Sequence, residues 1–290
     1  MSSTPLPQPV SRNSLSAKKP ARPLQSKRSA GSPPVVLTIA GSDNSCGAGI
    51  QADLQTFPAF ATYPQTAVTC VVAEIPGQVS AVQPIRPEIV AEQIRLSFQA
   101  FPVAAVKTGM LYSTAVIRAV AAALREVARG IPVVIDPVMV ASSGDPLLRP
   151  GAIAAYRNLL FPLATVITPN LDELRILSGL PCRNLEEIQA AGAALVELHD
   201  CAFLLKGGHL QTATATDILA TRHGMKKFTA PFRKGAETHG TGCTLSAAIA
   251  ASLAHGRPLD RAVAEAKSHI TQAISKSHRW NSTSALNHFP

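Results

Sequence analysis

The chain has 290 residues, 46% of them hydrophobic, which is enough to bury a sizeable core in one large α/β domain or two ordinary ones. Its formal charge of +9 points to nucleic acid only until it is located: Arg12, Lys18, Lys19, Arg22, Lys27 and Arg28 all lie in the first 34 residues, which carry no acid, and without those six the balance is +3. Aromatics make up 4% and do not interleave with Lys or Arg, so composition argues against a nucleic-acid surface built from stacking platforms.

Residues 1–34 are rich in Ser and Pro and lack the continuous apolar segment of a secretory signal, so they read as a disordered basic tail. A transit peptide shares that composition, but prolines at 5, 7, 9, 20 and 23 work against an amphipathic targeting helix. From Val35 the pattern changes. Val35–Ala40 is a β-branched apolar run ending at Gly-Ser-Asp, as a buried parallel strand would. Thr66–Val72, Val103–Val106, Pro132–Ile135, Thr165–Ile167 and Ala202–Leu205 repeat the type. Between them Pro87–Ala100, Thr114–Ala128, Gly151–Leu160 and Leu185–Leu198 carry helical spacing. This alternation predicts an α/β fold with a mainly parallel central sheet flanked by helices, and ligands at the carboxyl ends of the strands. Thr214–Thr221 and Lys226–Pro231 then read as paired strands about His223-Gly224, followed by a Gly-rich segment entering a long Ala-rich helix. Residues 281–290 read as a loosely held tail.

The five cysteines, Cys46, Cys70, Cys182, Cys201 and Cys243, are odd in number and without paired short spacing, which suits a reducing, cytoplasmic setting. No apolar run reaches the roughly 18 residues needed to span a bilayer, so no membrane is expected.

The strongest local signal is Thr238-His239-Gly240-Thr241-Gly242-Cys243-Thr244, running directly into good helix formers. Such a turn presents unpaired backbone N–H groups and the positive end of a helix dipole, the electrostatic equipment for a phosphoryl group in transfer. An ordinary Gly-rich turn capped by Thr has the same spelling. Its company adds weight. Gly41-Ser42-Asp43 and Gly47-Ala48-Gly49-Ile50-Gln51-Ala52-Asp53 follow the first strand, Asp136-Pro137-Val138-Met139 the fourth, Thr168-Pro169-Asn170-Leu171-Asp172-Glu173 the fifth, and Lys206-Gly207-Gly208-His209 the sixth.

In this order the motifs resemble the hydroxymethylpyrimidine and phosphomethylpyrimidine kinases of the ribokinase superfamily, over approximately residues 35–278. The resemblance implies a ribokinase-like three-layer kinase domain over 35–280 that uses ATP and Mg²⁺, acts on a pyrimidine, and forms a homodimer. It implies a substrate pocket near Gly41, Asp53, Glu74 and Val138, with Gly41 letting the ring approach the backbone and Asp53 accepting hydrogen bonds. Asp136 and Glu173 match positions near Mg²⁺ and its waters, Asn170 assists, and Lys206 and Thr238 match the nucleotide side. Cys243 falls on the catalytic base, within the turn Gly240, Thr241 and Gly242, and its place at a helix N-terminus predicts a lowered thiol pKa. Three positions depart from the family pattern: Glu74 for a glutamine that reads the ring, Ser142 for a lysine, and Cys46 for a glycine. A pyridoxal or pyridoxine kinase, or a catalytically weak pyrimidine-binding regulatory protein, are the competing readings.

Overall fold

The computed structural model describes residues 31–139, 148, 151–207, 214–233, 239–281 and 283–290. Residues 1–30, Ser142 and Thr238 lie outside the described residues.

Nine strands form one sheet. In chain order they are β1 (Val35–Asp43), β2 (Tyr63–Ile75), β3 (Gln78–Pro84), β4 (Val103–Thr108), β5 (Val133–Ile135), β6 (Val166–Ile167), β7 (Ala202–Lys206), β8 (Thr214–Thr221) and β9 (Gly224–Pro231). Their spatial order is β3-β2-β1-β4-β5-β6-β7-β8-β9. From β2 to β7 all neighbours are parallel, while β3, β8 and β9 extend the edges antiparallel. The predicted strand pair at the end is present, with Thr221 opposite Gly224 across its turn. The hairpin of β2 and β3 was not predicted, since β3 is almost wholly exposed and its sequence carries no apolar run.

The helices are α1 (Gly49–Ala59), α2 (Pro87–Ala100), α3 (Thr114–Val127), α4 (Ala152–Ala155), α5 (Leu171–Ser178), α6 (Leu185–His199), α7 (Thr241–Ala254) and α8 (Leu259–Ser275). The predicted helix over 151–160 is α only as far as Ala155, then widens into a π turn, Tyr156–Leu160, and tightens at Phe161–Leu163 before the chain turns extended at Ala164. The Ala-rich helix is two: α7 stops at His255, where Gly256 at φ 76° and Pro258 turn the chain into α8.

Strand residues alternate between two cores, which is the period-2 pattern of a sheet covered on both faces. Val35, Leu37, Ile39, Val106, Ile135, Ile167, Phe203 and Leu205 pack under α2, α3, α4, α5 and α6. Val36, Ala105, Val134, Val166 and Leu204 pack on the opposite face with Phe57 of α1 and the apolar residues of α7 and α8. Every residue of α7 from Thr244 to Leu253 is buried, so this helix is held on all sides.

Of the segment 281–290, expected as a loose tail, residues 283–290 are docked on the domain. After a small hairpin, β10 (His278–Trp280) with β11 (Thr283–Ala285), Leu286 enters the second core at 3% exposure and His288 is equally buried. Among the described residues no helix is long and apolar enough to cross a membrane.

Candidate active site

The parallel strands point their carboxyl ends at one edge, where β1 delivers Asp43, β5 is followed by Asp136, β6 by Thr168, and β7 ends on Lys206. Asp136 is the hub. Its Oδ1 accepts from Lys206 Nζ at 3.0 Å and from Thr168 Oγ1 at 3.1 Å, and its Oδ2 from Ser246 Oγ of α7 at 3.3 Å. The first turn of α7 lies directly against this pair: a Cβ on Gly242 would stand 3.1 Å from Lys206 Nζ and 3.6 Å from Asp136 Oδ2. The expected meeting of helix terminus, lysine and acid is therefore present.

Glu173 completes the acid pair from a neighbouring strand end. It sits at the third position of α5 in a capping box, its Oε2 accepting from Asn170 N at 2.8 Å while Asn170 Oδ1 accepts from Glu173 N at 2.9 Å. Its Oε1 accepts from Met139 N at 3.2 Å. Burial and Asp136 push its carboxyl upward, with Lys206 pulling the other way. Burial works to lower Lys206, but Asp136 and Glu173 outweigh it and hold the ammonium charged. Two oxygen-donor acids sharing one lysine leave a surplus of negative charge, and both carboxylates keep lone pairs beyond those occupied. That donor set fits a hydrated hard cation such as Mg²⁺.

The turn before α7 is locked by its neighbours. Gly240 takes φ 77°, and a Cβ there would fall 1.7 Å from Gly47 O. A Cβ on Gly47 would in turn meet His239 Cδ2 at 2.5 Å. The two Gly-rich loops, far apart in sequence, thus close on each other by backbone contact that only glycine allows.

A second group of side chains borders this junction. Asp43 accepts from Ser45 N at 2.6 Å, Ser45 Oγ at 2.9 Å and Ala48 N at 2.8 Å, and His239 Nε2 lies 3.2 Å from its Oδ2. Burial works to raise Asp43, yet these hydrogen bonds, led by His239, hold it at about 2. Glu74, at the end of β2, has a carboxyl oxygen within 4.8 Å of both the Asp43 and His239 atoms and within hydrogen-bond reach of Asp43. Burial and the Asp43 charge push Glu74 up to about 7. With Asp43 committed as an acceptor, Glu74 is the acid of the pair that keeps a proton. Val138, with Val79, Val82 and Tyr112, packs against the buried cluster of Cys70, Val72 and Met110.

Two expectations need correction and a third needs an addition. Asp53 does not face the pocket: it is fully buried on α1, with both oxygens on Lys107 Nζ at 2.9 and 2.8 Å and Thr38 Oγ1 at 2.6 Å. Burial would lower Lys107, but the Asp53 carboxylate drives it upward, so the pair is a buried ion pair. Gly41 is also constrained by packing, which the sequence reading did not include, because a Cβ would come within 2.8 Å of Cys70 Sγ. Cys243 does not have a lowered pKa; burial pushes its thiol up to about 11, Lys107 pulling the other way.

Lys107 and Ser246 were missed by sequence reasoning. Lys107 left a signal, being a charge inside an otherwise apolar parallel strand, where an unpaired ammonium is not tolerated. The hydroxyl of Ser246 left none.

The family model for phosphomethylpyrimidine kinase matches residues 43–287. The chain belongs to that family. The hydroxymethylpyrimidine/phosphomethylpyrimidine kinase of Rhizobium meliloti is 44% identical, covering 84% of this chain and 92% of its own length. The thiamine biosynthesis bifunctional protein ThiED of Geobacter sulfurreducens is 44% identical over 82% of this chain, and the match takes up 49% of that longer protein. Among solved structures, the ADP complex of Bacillus subtilis pyridoxal kinase superposes with a TM-score of 0.81 at 36% identity, covering 89% of this chain and 98% of that one. The fold is the ribokinase-like three-layer arrangement of these kinases.

Proposed function

We propose that the protein transfers the γ-phosphoryl group of ATP to the hydroxymethyl group of 4-amino-5-hydroxymethyl-2-methylpyrimidine, and then phosphorylates the monophosphate, in thiamine biosynthesis. The observation that carries this is the junction of Lys206, Asp136 and the side-chain-free Gly242 at the start of α7. A lysine, backbone N–H groups and a helix dipole there meet the charge that spreads over the phosphoryl oxygens in transfer. In the transfer, the substrate oxygen forms a bond to the γ-phosphorus, the bond from that phosphorus to the bridging oxygen breaks, and ADP leaves with the electron pair. Asp136 and Glu173 would hold Mg²⁺, and Asn170 and Thr238 would contribute to nucleotide binding, the cation neutralising phosphate charge. Cys243 takes the hydroxyl proton only when it is a thiolate, about one part in a thousand at pH 8 for a thiol at about 11, so positioning supplies most of the acceleration.

On the ring, Glu74 takes the place of the family's amide. A protonated carboxyl donates one hydrogen bond and accepts another, as an amide does, and so matches a ring nitrogen beside an exocyclic amine. The second reading, a pyridoxal kinase, has the superposition on the Bacillus subtilis enzyme on its side, but the family model and the 44% identical relatives favour the pyrimidine. A purely regulatory pyrimidine binder is disfavoured, because it has no physical need of the phosphate apparatus. Incubating the purified protein with MgATP and either the hydroxymethylpyrimidine or pyridoxal, and following ADP and the phosphorylated product, decides among them. Faster turnover of the pyrimidine is expected, whereas turnover of pyridoxal alone, or of neither, overturns the assignment. The five free cysteines and the absence of a membrane-crossing helix among the described residues support a cytoplasmic enzyme, and the family resemblance supports a homodimer.

A further inference from the structure

We propose that His288 is a positioning residue for phosphoryl transfer, aiming the turn at Gly240–Gly242 through the hydroxyl of Thr244; this rests on the phosphoryl-binding role given to that turn above. His288 lies between α7 and α8 at 3% exposure, anchored by the two residues before it: Leu286 is buried, and Asn287 N donates to Ala273 O at 3.3 Å. Its Nδ1 stands 3.3 Å from Thr244 Oγ1. Thr244 Oγ1 donates its own proton to Gly240 O at 2.9 Å, and Thr244 N donates to the same carbonyl at 2.9 Å. A hydroxyl has one proton, so with that proton on Gly240 the imidazole must be the donor, its Nδ1–H pointing at Oγ1. Burial, with His269 and His278 nearby, lowers the imidazole to about 4, so it stays neutral.

The result is a directed relay: His288 Nδ1–H to Thr244 oxygen, Thr244 O–H to the Gly240 carbonyl. Because a trans peptide is planar, holding the Gly240 carbonyl also sets the direction of the Thr241 N–H on the opposite side of the same plane. Each donor in such a chain polarises the next, so losing the first loosens the orientation of the last.

Two variants separate this role from simple packing. His288→Leu fills the space and donates nothing, while His288→Asn places an amide nitrogen where Nδ1 was. The expected result is a fall in kcat of about tenfold for His288→Leu, with KM for the pyrimidine within about twofold, and recovery of most of kcat in His288→Asn. Hydrogen–deuterium exchange over residues 240–246, measured without substrate, should quicken in His288→Leu and return to the parent rate in His288→Asn. That readout stands even if no heterocycle is phosphorylated, so failure of the kinase assignment and failure of the relay look different. An unchanged kcat and exchange rate in His288→Leu, or an asparagine variant as impaired as the leucine one, overturns the proposal. Should His288→Leu fail to fold, Thr244→Val against Thr244→Ser gives the same contrast, since only serine retains the hydroxyl.

Discussion

Glu74 and Cys243 carry opposite pH signatures that kinetics can separate. Glu74 sits near neutrality, raised from the ordinary carboxyl range, so the folded protein favours its protonated form, and that preference fades as pH climbs from about 4.5 through about 7. Above that range the deprotonated carboxyl only accepts and is repelled by Asp43. The Michaelis constant for the pyrimidine should therefore rise between pH 6 and 8, and Glu74→Gln should flatten the rise while gaining thermal stability over the parent at the alkaline end. A parent profile without slope removes Glu74 from ring recognition. For Cys243 the sign is reversed: at saturating substrate kcat should increase with pH toward 9 as the thiolate fraction grows. Cys243→Ala should be flat with pH and lower by about 10²–10⁴-fold, with pyrimidine affinity by calorimetry unchanged. A variant turning over at the parental rate excludes the base role. At this scale the strand-end motifs made Asp136, Glu173, Asn170 and Lys206 legible, because each is a polar residue following directly on an apolar run. Asp53 was not, since its environment is set by Lys107, 54 positions away. Nor was the thiol of Cys243, where desolvation outweighs the helix terminus that sequence alone reveals.

Elements met by turns show where glycine is required and where it is merely convenient. Gly240 and Gly256 have nearly the same φ, 77° and 76°, but a Cβ at 256 meets open space while one at 240 runs into Gly47 O. Gly256→Ala should cost about 1 kcal/mol of stability and leave turnover intact. Gly240→Ala must push two loops apart and should abolish turnover; equal activity and equal urea midpoints for the two variants contradict the interlock. Strands β1, β4, β5, β6 and β7 could be read because burial on both faces makes them unbroken apolar runs. The exposed β3, the passage of α4 into a π turn and the docking of residues 283–290 answer to partners distant in sequence, which local pattern does not encode.

At the scale of the whole molecule, the ion pair of Lys107 on β4 with Asp53 on α1 joins the central sheet to a helix of the second core. Both side chains are fully buried, so the pair is best tested by removing one partner and then both. Asp53→Asn or Lys107→Met alone should destabilise by about 3–5 kcal/mol, since the charge left behind has no solvent. Joint replacement by apolar residues of similar volume should recover most of the loss in chemical denaturation. Additive losses in the double variant argue that the two side chains act separately. The layered architecture itself was readable from the alternation of strands and helices; the identity of the charge pair inside it was not.

The mutual fit of Gly47 and His239–Gly240 places one half of the proposed phosphate-handling centre near the beginning of the folded chain and the other after the ninth strand. A nascent polypeptide emerging from the ribosome therefore has the first half of this centre long before the residues that complete it. Catalytic competence must arrive late in synthesis, as a product of long-range closure.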